Sequence, residues 1–183
     1  MRAVLEVSSG ALAKCTHIEL GGNPASQGSK HAVQDALKRR WLDGEFLATH
    51  LNEATSLDMF SMKWGDAEMT KLAAALEYCR AEGALPQLKR LDLDSNQIGD
   101  VGMQALAGAV SKGALAALET LDLSVNAIGD AGMSALAKAI TPGPNGKGAL
   151  PALKELLVDN PEHAALKAAC QARGIDLEGE EEY

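Results

Sequence analysis

Leucines alternate with polar residues over Leu91–Asp92–Leu93 and again over Leu121–Asp122–Leu123, the two-residue period of a short strand with one buried face. Directly after each, the period lengthens. Met103, Leu106, Ala107 and Val110 are spaced as one face of a helix; Met133, Leu136, Ala137 and Ile140 repeat that spacing, as do Met69, Leu72, Ala73 and Leu76. Asp66, Asp100 and Asp130 stand at the expected helix starts, in N-cap position. The predicted unit is strand, turn, helix and return. Neither apolar stripe can bury itself alone, so neighbouring units must stack.

The unit recurs along the chain. The frame GALxxLxxLxL appears at Gly83 and Gly113, at Gly148 as GALPALKELLV, more weakly at Gly10 (GALAKCTHIEL) and in a blurred form at Thr49 (THLNEATSLDM). Repeats therefore start near residues 10, 49, 83, 113 and 148. The pattern LxxLxLxxN followed by IGDxGxxALA resembles leucine-rich repeats of the ribonuclease-inhibitor type, over residues 10–175 and most densely over 83–160. The resemblance implies an α/β fold: a right-handed leucine-rich-repeat solenoid of about five strand-turn-helix repeats, with a parallel sheet on the concave face and helices on the convex face. The expected organisation is a single solenoid over 1–176 and an acidic disordered tail over 177–183.

Asn23, Asn96, Asn126 and Asn160 close the motif, and the resemblance implies that their amides form a ladder satisfying buried backbone groups in the turns. The second copy has Met62 there. A thioether cannot replace two donors and an acceptor, so an irregular or water-filled turn is expected at that point. In the outermost repeats Pro24 and Pro161 follow the asparagine, as proline does at a first helical position. Those repeats are expected to cap the solenoid, with an exposed end strand as a self-association edge. Residues 141–147 (TPGPNGK) read as a surface turn.

Composition narrows the function. Hydrophobic residues make up 46% of the 183 but aromatics only 3%, which suits thin regular layers better than one bulky core. The net charge of −8 argues against nucleic acid, whose phosphates need a basic patch. No apolar run approaches the ~18 residues of a membrane span, and the first residues lack the apolar region of a signal peptide. Cys15, Cys79 and Cys170 match no metal or disulfide framework and occupy apolar positions, so buried thiols in a reducing compartment are expected. The expected localisation is cytoplasmic, with nuclear or cytoskeletal association left open.

Chemistry is hard to assemble. His17, His31, His50 and His163 fall in different repeats without a metal-binding spacing, and Gly143–Lys147 lacks the length and the hydroxyl residue of a phosphate loop. Neither a catalytic set, a cofactor site nor a metal site is expected.

The strand face opposite the leucines carries the candidate site. Alignment places Glu19, Asp58, Asp92, Asp122 and Leu157 in one column, and Gly21, Phe60, Asp94, Ser124 and Asp159 in a second. A third holds His17, Ser56, Arg90, Thr120 and Glu155. Stacked carboxylates on strands about 4.8 Å apart repel by about 1 kcal/mol per pair in water. The expected function is therefore a non-catalytic protein–protein interaction module, an adaptor or assembly subunit whose acidic face takes a partner with a basic or mixed surface. The clustered aromatics Trp41, Phe46, Phe60 and Trp64 are expected to fill the wider gap of the longest repeat; the sharper alternative is that Phe60, alone on that face beside Asp58 and Asp94, anchors a partner. Two alternatives remain open: a regulator of an enzyme such as a nuclease or small GTPase, as in relatives of this repeat type, and a self-associating structural element. The last residues, Glu181-Glu182-Tyr183, are similar to the end of α-tubulin, which CAP-Gly domains and tyrosine-cycling enzymes read; a solvated acidic tail is the simpler expectation.

Overall fold

The computed structural model describes residues 42–50, 52–85, 87–142 and 148–179. The copy near residue 10, with Cys15, His17, Glu19, Asn23, Pro24 and His31, lies outside them, as do Trp41, the loop centre at 143–147, residues 180–183 and the side chain of His50. Within the described residues the order is α1 (Gly44–His50), β1 (Ser56–Asp58), α2 (Asp66–Ala81), β2 (Arg90–Asp92), α3 (Asp100–Ser111), β3 (Thr120–Asp122), α4 (Asp130–Ile140), β4 (Glu155–Leu157), α5 (Ala164–Arg173) and β5 (Asp176–Glu178). The strands form one parallel sheet in the order β1-β2-β3-β4-β5, and each helix packs on the next, giving an α/β solenoid-like arrangement.

The two sequence periods meet in one core. Leu57, Leu91, Leu121 and Leu156 of the strands are fully buried, together with Leu88, Leu93, Leu123 and Val158 that flank them. From the other side come Met69 and Leu72, Met103 and Leu106, and Leu136 and Ile140. Helices α2 and α3 leave through a turn that repeats. After α2 the Ala84 N–H reaches Cys79 O and the Gly83 N–H reaches Arg80 O, and after α3 Ala114 and Gly113 do the same to Ala109 and Val110. Leu85, Leu115 and Leu150, the leucines of the GAL frame, then adopt positive φ (54°, 63° and 55°) while remaining buried, so core packing holds a backbone conformation that leucine alone disfavours.

Asp66, Asp100 and Asp130 do not cap their own helices. They are first helical residues, and the N-caps before them are Gly65, Gly99 and Gly129. Asp66 reaches forward instead, accepting the N–H groups of Gly99 and Gly102 (both 2.8 Å), and Asp100 accepts those of Gly129 (2.9 Å) and Gly132 (2.7 Å). Each repeat thus caps the helix of the following one, which explains the spacing of IGDxG. The glycines are needed because a carboxylate occupies the place of their side chains: a Cβ at Gly102 would stand 2.8 Å from Asp66 Oδ1 and 2.9 Å from Met69 Cβ. The series stops at α5, whose N-cap is His163, with Nδ1 accepting the Leu166 N–H at 3.3 Å.

Three further expectations are corrected. Pro161 is not the first residue of α5; it precedes the His163 cap and packs against Gly179. Leu177 and Glu178, expected in the tail, belong to β5, so the sheet runs past the expected boundary. Neither β5 nor its short return through α5 was anticipated, although Gly174 in a left-handed C-cap before Ile175-Asp176-Leu177 repeats the GAL-turn logic. Arg173 secures this end by donating to the carbonyls of Ile140, Ala149 and Leu150.

These contacts reverse a helix-propensity rule at one glycine of α3 and leave it intact at another. Gly108→Ala, with open space around the new methyl, should stabilise the fold by about 0.5–1 kcal/mol. Gly102→Ala should destabilise it by about 1–3 kcal/mol, because the Asp66 cap is displaced. Urea unfolding of the two variants checks both signs.

Candidate interaction face

The asparagines hold the turns that end each strand. Asn96 Oδ1 accepts the Trp64 N–H (3.0 Å), and its Nδ2 donates to the carbonyls of Met59, Leu93 and Asp94. Asn126 repeats the set one repeat later, accepting the Ile98 N–H (3.0 Å) and donating to Leu93, Leu123 and Ser124. The bonds run backward, so each amide stitches its own turn to the preceding one. That direction explains why Met62 does less damage than expected: Asn96 supplies the bonds to Met59 and Trp64. Ser61 keeps the positive φ of Ser95 and Val125 (53° against 56° and 50°), and the turn departs from the others only by a second positive φ at Lys63 (57°). Asn160 departs completely. With Leu157 paired to Asp122, Asn160 falls one position early, at the place of Val125, and Pro161 occupies the ladder position. Its side chain is exposed and makes no hydrogen bond among the described residues, and Asp159 acts there instead, accepting the N–H groups of Val125 (2.6 Å) and Asn126 (3.0 Å).

Strand register brings the expected columns together. Asp58, Asp92, Asp122 and Leu157 are successive partners, continued by Glu178; Ser56, Arg90, Thr120 and Glu155 form the next column, continued by Asp176. The two added acids do not stand out in the sequence, because the three residues of β5 merge with the acidic run that follows them. Phe60 and Asp94 stand side by side, since the Ser61 N–H donates to Asp94 O (3.0 Å).

The carboxylates have structural duties that the sequence does not reveal. Oδ1 of Asp58, Asp92 and Asp122 each accepts the N–H two residues on, at Phe60, Asp94 and Ser124 (3.0–3.1 Å), closing the strand into its turn. Arg90 lies 3.0 Å from Asp92 Oδ2 and 3.7 Å from Asp122 Oδ2, relieving part of the expected repulsion. Thr120 donates to Glu155 (3.0 Å). Asp122 and Ser124 are buried, only 9% and 7% exposed, whereas Phe60 is 56% exposed. Asp94 bears the remaining strain: burial, followed by the Asp122 and Asp92 carboxylates, raises its pKa against the lowering effect of the Ser95 hydroxyl.

Beside the face, at the strand entries, Glu119 sits between Lys89 and Lys154, whose hydrogen bonds lower its pKa to about 2. Among the other expected residues, Trp64 is buried with its indole N–H unpartnered among the described residues, and Phe46 packs half-buried against the core. Cys79 and Cys170 are buried free thiols; burial pushes Cys79 up to about 11 and also raises Cys170. Among the described residues no group of three or more His, Cys, Asp and Glu side chains could hold a metal ion, and no helix is long and apolar enough to cross a membrane.

A family model described as Leucine Rich repeat matches residues 85–107 and 116–137, the segments that carry β2 with α3 and β3 with α4. Those segments are thus leucine-rich repeats, a repeat type whose domains are commonly protein–protein interaction modules and generally non-catalytic. No curated protein matches the chain.

Two expectations follow. Val125 is an exposed β-branched residue at φ 50°, so Val125→Asn, which tolerates that backbone and keeps the N–H bonded to Asp159, should stabilise the fold by about 1 kcal/mol in thermal unfolding. For Glu119 the folded pKa lies below the ordinary carboxylate value. Its contribution is therefore complete above about 4.5 and lost as pH falls toward about 2. Across that window the wild type should lose stability more steeply than Glu119→Gln, as read by urea midpoints.

Proposed function

We propose that this protein is a non-catalytic adaptor or assembly subunit that takes a partner protein on the open face of its sheet. The observation that carries the reading is the charge of that face. Asp58, Asp92, Asp94, Asp122, Glu155, Asp159, Asp176 and Glu178 lie along it, and within the three strand columns Arg90 is the single described cation. Such a surface favours a partner with a basic or mixed surface, speeding encounter and excluding acidic competitors, nucleic acid among them. The ribonuclease-inhibitor-like repeat type is supported by the full α-helix that follows each of β1, β2 and β3. The buried free thiols suit a reducing, cytoplasmic setting.

A second reading rests on β5, the last described strand of the sheet, which has a neighbour on one side only. Copies could pair through that edge. Light scattering separates the two: a mass that rises with concentration supports pairing, and a constant monomer mass removes it.

The adaptor reading is tested by affinity capture with mass spectrometry, followed by binding measurements on the recovered partner. Asp94→Lys should weaken binding at least about tenfold, the scale of a reversed contact charge. Val101→Lys, at an exposed helical position away from the sheet, should leave it unchanged. Equal binding by wild type and Asp94→Lys would sink the assignment of the face.

A further inference from the structure

The carboxylates of the open face are not equivalent. Arg90 serves Asp92 and Asp122, Thr120 serves Glu155, and Asp159 is occupied by two backbone N–H groups. Toward β1 that compensation ends. The Asp94 side chain receives the Ser95 hydroxyl at 3.1 Å, the Asp58 side chain receives the Phe60 N–H at 3.0 Å, and neither joins an ion pair among the described residues. Phe60 stands between them, two residues beyond Asp58 on the same side of its strand and beside Asp94 across the sheet. At 56% exposure it is an aromatic ring left in water beside two carboxylates.

Resting on the reading of this face as the partner surface, we propose that Phe60, Asp58 and Asp94 form a cradle for one arginine side chain of the partner protein. A guanidinium is flat and weakly hydrated, so it stacks on an aromatic ring while its edges donate to carboxylates on either side. Adjacent strands about 4.8 Å apart keep the Asp94 carboxylate close to the ~6 Å range over which a ring attracts a cation, so one group can meet both. Lysine, a compact and strongly hydrated point charge, would gain less from the ring. The molecule already makes a similar arrangement internally, with Arg90 laid across Asp92 and Asp122. The cradle is the position on the same strip where, among the described residues, that cation is missing. The raised pKa of Asp94 agrees, since burial and its acidic neighbours disfavour its charge until a cation arrives.

The test is an NMR titration of the full chain with a blocked Gly-Arg-Gly peptide and its lysine and citrulline counterparts. The arginine peptide should shift the Phe60, Ser61, Asp94 and Ser95 amides saturably with a Kd of roughly millimolar, lysine should bind more weakly, and neutral citrulline should leave the spectrum unchanged. Phe60→Leu and Asp94→Asn should each weaken arginine binding roughly 3- to 10-fold. Both changes are at positions outside the core, and an unchanged Tm confirms that the variants fold. The proposal is overturned if citrulline matches arginine, if the shifts centre on Asp176 and Glu178, or if Phe60→Leu binds as the wild type does. Loss of partner binding in Asp94→Lys without arginine binding at Phe60 removes the cradle and leaves the adaptor reading standing. Arginine binding at Phe60 with partner binding insensitive to Asp94→Lys shows a site that takes arginine but overturns its assignment to the partner, together with the adaptor reading of the face.

Discussion

The turns after β1, β2 and β3 bury peptide groups that no strand or helix can satisfy, and side chains borrowed from an adjacent repeat satisfy them. Asn96 and Asn126 bond backward to the turns before them, while Asp66 and Asp100 reach forward to cap the helices after them. An unmet buried donor or acceptor costs about 1–3 kcal/mol. A repeat separated from its neighbours would therefore lose these bonds together with its buried face. Stacking is enforced by polar as well as apolar terms, and the small residues at Gly102 and Gly132 exist to let the carboxylates in.

The same economy shapes the open face. Asp58, Asp92 and Asp122 each use one carboxylate oxygen to close their own turn, leaving the other for a cation. A structural residue and a binding residue are thus one side chain. The LDL motif would be retained for folding even if nothing bound, so an acidic column alone says little about a partner. Its uneven compensation says more: Arg90 neutralises the middle of the strip, whereas among the described residues Asp58 and Asp94 join no ion pair, next to an exposed ring.

Where the repeat pattern fails, the structure changes its device. One residue less between β4 and the asparagine moves Asn160 out of the ladder, and Asp159 caps the neighbouring turn instead. At the α5 helix a histidine replaces the Asp–Gly pair, and Arg173 takes over the carbonyls that follow α4. In β5, the last described strand, Asp176 and Glu178 prolong the acidic columns.

Much of this was legible in the chain. The alternation around Leu91 and Leu121 and the helical stripes from Met103 and Met133 required a stacked strand-helix unit, because each presents an apolar face that only another repeat can cover. The same alternation placed Asp58, Asp92 and Asp122 in one column, since parallel in-register strands bring equivalent positions together. The partners of the polar side chains were not legible. Asp66 reads as a cap for its own helix, and only the packing of α2 on α3 turns it toward Gly99 and Gly102. Asn160 reads as a ladder residue until pairing with β3 shows it one position out of register. Leu177 and Glu178 read as tail because a three-residue strand carries too little periodicity to declare itself without a neighbour. Hydrophobic pattern is local and repeats along the chain, so sequence carries it; hydrogen bonding between repeats depends on distance across the stack, which only the folded chain sets.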